Sequence, residues 1–200
     1  MFRGDRWGAC WLAALLTALM LSGCGGGSSD SATIDFRSPA VGTDGVISPK
    51  VSCGAGTLWL PLKWGSVPEG TDELAVYIGR FKYGAADGVK KPVAQFGALV
   101  SGIDPTLHGI AANTFPPEIA SAGFFGSSCP PVRTGQDILL ELFALDTRGA
   151  ANVSPDADFG TRVTEEALGV EQPATNSEFA MKLSEETLAA GRIAATYGPK

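Results

Sequence analysis

Apolar positions along this chain fall in short runs separated by turn-forming residues, and most of the runs have the period of a β-strand. "ATIDFRSPAV" puts Ile34 and Phe36 on one face and predicts the first strand. "DGVISPKVSCGAG" is rich in turn residues. "TLWLPLKW" is apolar but interrupted by Pro61, whose missing N–H confines it to an edge or a bulged extended segment. After the turn "SVPEGT", "ELAVYIG" (Glu73 to Gly79) is long enough for a buried strand and too short for a helix. "AQFGALVSGI" and "DILLELFALD" read the same way. In the latter, Ile138, Leu140, Leu142 and Ala144 share one face, and Leu139, Phe143 and Leu145 the other. Both faces are apolar except at Glu141, which predicts a central strand covered on both sides.

Helical spacing enters only late. One predicted helix covers Thr161 to Leu168. A second covers Ser184 to Ala190, with Ser184 as N-cap and Glu185 and Glu186 in the first turn, where the helix dipole favours acids. "RIAATYG" closes the chain as an extended segment. There are no internal repeats. The class expected is mainly β with C-terminal helices (α+β), in one folded domain over 33–200.

The first residues follow a different logic. Arg3 and Arg6 precede Trp11 to Leu21, an apolar run without charge. That run is shorter than the ~20 residues a membrane-spanning helix needs, and it fits the core of a signal peptide. "LSGC" (Leu21, Ser22, Gly23, Cys24) then matches the bacterial lipobox, which predicts cleavage after residue 23 and a lipid on Cys24. Acyl chains anchor through roughly 0.8 kcal/mol per buried CH₂. Gly25 stands where an inner-membrane retention signal would have aspartate, so in a Gram-negative cell the outer membrane is favoured. "GGGSSDSA" (Gly25 to Ala32) is glycine- and serine-rich and reads as a flexible tether over 24–32.

Charge narrows the partners. The whole chain carries 15 Lys and Arg against 21 Asp and Glu, a net charge of −6. Removing residues 1–23 leaves 13 against 20, or −7. An acidic domain has no footprint for nucleic acid. The expected partners are the membrane, through the lipid, and a small anionic or polar ligand; no protein partner is identifiable. Once Cys10 leaves with the leader and Cys24 is lipidated, Cys53 and Cys129 remain. An even pair in an oxidising compartment favours a disulfide, with two free thiols or a metal pair as alternatives. No further metal ligands stand beside either cysteine. In the chain-entropy account such a bridge contributes roughly 4 kcal/mol.

Three blocks resemble the phosphatidylethanolamine-binding protein (PEBP) family, in its bacterial Raf-kinase-inhibitor-like branch. They are "LPLKW" with "VPEGTDEL" (Leu60 to Trp64, Val67 to Leu74), "CPPVRTGQDILLELFALD" (Cys129 to Asp146) and "LAAGRIAATYG" (Leu188 to Gly198). They stand in the family's order and span about Ile34 to Tyr197. The resemblance implies a large antiparallel sheet, a smaller sheet packed against it, and helices near the C-terminus. It also implies a small anion-binding pocket, lined by an Asp-Pro-Asp turn, a His-Trp pair and a His-Arg pair.

This chain departs from the pattern at all three places. "GRFKYG" (Gly79 to Gly84) replaces the Asp-Pro-Asp turn, Gly97 and Ala98 stand at the His-Trp positions, and Gln136 and Asp137 at the His-Arg positions. The family's ligand therefore does not carry over intact. Arg80, Lys82, Tyr83, Gly97, Gln136 and Asp137 are the candidate lining of a reshaped pocket; the alternative is a solvated loop beside a cleft that has closed or widened.

His108, in "DPTLHGI", is the only histidine. It falls in the loop after the "FGALVSGI" strand, eleven positions past the family's histidine position at Gly97. No GxSxG elbow accompanies it, and no histidine cluster offers metal chemistry. The expectation is a non-catalytic envelope lipoprotein without cofactor or metal, which binds a small ligand or, alternatively, serves a structural or protein-interaction role.

Overall fold

The strand spacing read from the sequence gives two sheets and two helices in the computed structural model, which describes residues 32–47, 60–86, 89–112, 121–125, 135–149, 158–170 and 176–198. Cys24, the tether, Cys53 and Cys129 lie outside these residues, so the leader, anchor and disulfide expectations do too. In chain order the strands are β1 (Ala32–Thr33), β2 (Phe36–Arg37), β3 (Val46–Ile47), β4 (Leu62–Trp64), β5 (Glu73–Ala86), β6 (Val89–Ile103), β7 (Gly109–Ile110), β8 (Ser121–Phe125) and β9 (Gln136–Leu145). Helices α1 (Phe159–Ala167) and α2 (Glu178–Glu185) follow, and β10 (Thr187–Tyr197) closes the fold.

The two-sided apolar strand is β9, and it is central. It lies between β10 and β5, antiparallel to both; β6 and then β8 extend the sheet beyond β5. Ile138, Leu140, Leu142 and Ala144 face one core, and Leu139, Phe143 and Leu145 face another. Each such side chain contributes about 1.5–3 kcal/mol by leaving water. The first core is closed by the small antiparallel sheet of β2, β4 and β7, through Phe36, Leu62, Trp64 and Ile110. The second is closed by the helices, through Phe159, Val163, Phe179 and Leu183. The order of layers is thus small sheet, large sheet, helices.

Three details differ from expectation. The large sheet is mixed rather than wholly antiparallel, because β1 and β3 run parallel to β10 at its outer edge. The segment from Ile34 to Phe36 is not one strand; it leaves β1 in the large sheet and enters β2 in the small one, with both side chains buried. Gly191 of β10 permits that crossing, since a Cβ there would lie 2.5 Å from Cβ of Phe36. The second helix starts earlier than the sequence suggests. Ser177, not Ser184, is its N-cap, accepting a bond from the Ala180 N–H at 3.0 Å. Phe179, Ala180 and Leu183 then share the buried face, and the chain turns into β10 at Thr187 because Ala189 to Tyr197 pair with β9.

Candidate functional site

The residues expected to line a reshaped pocket sit around the meeting of β5, β6 and β9, but on two sides of the sheet. "GRFKYG" is not a loop. β5 continues through it to Ala86 because β6 pairs with it along the whole length, with a register shift between Arg80 and Phe81. Arg80 lies opposite Ile138 and follows Ile78 onto the small-sheet side, where its Nη1 donates to Oε1 of Gln136 at 3.4 Å. Lys82 alternates onto the same side and is exposed. Asp137 lies opposite Phe81 on the helix side and accepts from Oγ1 of Thr196 at 3.0 Å. Tyr83 joins that side; its ring meets the Phe81 ring edge-on at 5.8 Å.

Gly97 pairs with Gly79 across β5 and β6. A Cβ on Gly79 would lie 2.3 Å from the hydroxyl of Tyr77, so the phenol of Tyr77 occupies the room that the glycine leaves. The structure thus brings Arg80 and Gln136 together, and places Tyr83 and Asp137 on the opposite side. His108 is exposed after the Asp104–Thr106 turn, and its carbonyl accepts from the Trp64 N–H at 3.1 Å. Among the described residues no group of three or more His, Cys, Asp and Glu is placed to hold a metal.

A different cluster forms on the helix side of the sheet. In one row across the strands, Arg192 of β10 is opposite Glu141 of β9, which is opposite Tyr77 of β5. Helix α1 lies over this row. Near its start, the Gly160 carbonyl accepts from the Tyr77 hydroxyl at 3.2 Å and from Thr164 Oγ1 at 2.7 Å. At its end, Arg192 Nη1 donates to the Ala167 carbonyl, placing a cation where the helix dipole is negative. The same guanidinium donates twice to Oε1 of Glu141, from Nη2 at 2.7 Å and from Nε at 3.2 Å.

Beside this row is a cleft of about 380 Å³ between the sheet and the two helices. Glu141, Glu166 and Arg192 provide its charges, and Phe143, Val163 and Leu183 its apolar wall. Glu166 also pairs with Arg162 one helical turn away. Burial pushes the Glu141 carboxyl above the usual range; the Arg192 charge opposes this, and Glu166 adds to it. Burial likewise raises the Tyr77 phenol to about 12, with the neighbouring Thr164 hydroxyl opposing the shift.

Sequence reasoning singled out Glu141 only as an exception in an apolar strand. That exception is the usable signal, because a buried charge needs a partner. The partner stands on the last strand, and only the β9–β10 register identifies it as Arg192.

No protein-family model and no curated protein matches this chain. Solved structures similar to it include the following two. One is a Chlamydia trachomatis protein considered a homologue of the phosphatidylethanolamine-binding proteins, with 19% identity, 85% of this chain and 100% of that chain covered, and a TM-score of 0.48. The other is Escherichia coli YbcL, described as a new member of the mammalian PEBP family, with 18% identity, 84% and 100% coverage, and a TM-score of 0.47.

Proposed function

We propose that this chain is a lipid-anchored protein of a bacterial cell envelope, and that its PEBP-like domain binds a small molecule without transforming it. The observation that carries the binding role is the cleft between β9, β10 and the two helices, where a buried carboxylate and its arginine stand beside an apolar wall. Specific small-molecule sites combine such walls with a few placed polar groups. The non-catalytic reading is supported by His108, the chain's only histidine, which is exposed on a loop rather than set in the cleft. The anchoring is supported by the Leu21 to Cys24 lipobox.

A thermal-shift screen of the soluble domain tests the binding role. Alkylamines, carboxylates, phosphates and polyols at millimolar concentration form the panel, and ligand excess must raise the apparent stability. If every class leaves Tm unchanged, the binding role is lost. Cell fractionation tests the anchor: Cys24→Ala moves the protein from the membrane to the soluble fraction, and continued sedimentation with membranes overturns the lipid.

A structural or interaction role is the second reading. It is favoured by the placement of Tyr77 over Gly79 and by the split of Arg80 and Tyr83 between two faces of the sheet. Crosslinking on whole cells that reproducibly captures one partner protein supports it.

A further inference from the structure

We infer that the cleft between β9, β10, α1 and α2 takes a small organic cation, a primary amine on a short apolar chain, with its ammonium held between Glu141 and Glu166. The inference rests on the cleft being the ligand seat and adds the class of ligand.

The charges of the lining give the sign. Two carboxylates and one guanidinium line the cleft; Arg162, outside the lining, pairs with Glu166 and offsets part of its charge. The lining guanidinium, of Arg192, is already engaged: its Nε and Nη2 donate to Glu141, and its Nη1 to the Ala167 carbonyl. An anion would have to compete for these donors beside two acids. The acids, in contrast, keep acceptor capacity. Both bonds from Arg192 end on Oε1 of Glu141, and the bond from Arg162 ends on Oε1 of Glu166. Among the described residues the two Oε2 atoms take no bond, and an ammonium offers three donors to such oxygens. Hydrogen bonds between ionised partners are the strong ones.

Size and polarity select the rest of the molecule. The cleft is about 380 Å³, near the lower end of ligand pockets, which suits a small molecule. Phe143, Val163 and Leu183 give an apolar wall for an alkyl chain, and Thr33 and Ser184 add hydroxyls at the rim. The acidic chain as a whole, at −6, raises the local concentration of cations.

Isothermal titration of the soluble domain with butylammonium chloride tests the assignment, with sodium butyrate and butanol as shape-matched controls. Butylammonium is expected to bind, with butyrate and butanol at least tenfold weaker. Glu166→Gln, on the half-exposed face of α1, is expected to weaken butylammonium at least tenfold while the circular dichroism spectrum is unchanged. Glu141→Gln is expected to do the same. If butyrate binds more tightly than butylammonium, the amine assignment is overturned while the ligand seat stands. If none of the three binds and the wider ligand panel is also silent, the seat falls with it. Equal butylammonium affinity in wild type and Glu166→Gln overturns the assignment by itself.

Discussion

Tyr77 shows how one buried polar atom ties two layers together. Its ring meets the Phe159 ring edge-on at 5.6 Å, and its hydroxyl donates to the Gly160 carbonyl at 3.2 Å. Tyr77→Phe keeps the ring and removes the bond, so at pH 7 it is expected to cost about 0.5–1.5 kcal/mol. The cost depends on pH in a defined direction. The folded pKa is about 12 against an ordinary 10, so the stability linked to the neutral phenol is complete below pH 10 and is lost as pH rises towards 12. Denaturant titrations at pH 7 and pH 11 should therefore show wild type and Tyr77→Phe converging at the higher pH; an unchanged gap contradicts the assignment. Gly79 is the second critical residue. Gly79→Ala forces the Tyr77 phenol to move and should cost about 1–3 kcal/mol, with a changed near-ultraviolet circular dichroism spectrum.

Among the elements, β9, β10 and α1 meet at Arg192. This single side chain bonds the strand beside its own and the carbonyl end of the helix. Glu141 is buried, with 5% of its side chain exposed, so removing its partner leaves a charge in the interior. Arg192→Met is expected to cost about 3 kcal/mol by equilibrium unfolding, at the low end for a broken buried pair because the Arg192 side chain is 44% exposed. Adding Glu141→Gln should recover much of that loss. If the double variant is no more stable than Arg192→Met alone, Arg192 acts through packing and not through Glu141. The elements themselves were unevenly legible. Two-sided apolar alternation identified β9 as central, and a short apolar run identified the start of β5. Its continuation through Arg80, Lys82 and Tyr83 was not legible, because cross-strand pairing with β6 carries it and no local spacing does. The start of α2 was missed for a related reason. Two serines followed by acids offer similar caps, and the one that is used places Phe179 and Leu183 on the sheet.

At the scale of the whole molecule, the described residues all belong to one compact unit, Ser31–Lys200. A bridge between Cys53 and Cys129, expected from the sequence, would close a long loop of the chain. Non-reducing peptide mass spectrometry should recover the linked pair, and reduction should cost up to roughly 4 kcal/mol; free thiols at both positions contradict the bridge. The amino-acid sequence by itself determined the class, the central strand, the late helices and the exposed position of His108, because each is set by nearest-neighbour patterning: period two, turn residues, the end of an apolar run. The proposed lipid anchor rests on the sequence alone, since a lipobox is read as a linear string. Only the tertiary structure decided where the cleft lies and what charges it. Glu141 and Arg192 are 51 positions apart, and their meeting follows from the register of β9 against β10. The division of Arg80 and Asp137 between two faces follows from the register of β5 against β9, which no single strand encodes. Pairing register depends on how both faces of the sheet are covered at once, so the site emerges only when all three layers are assembled.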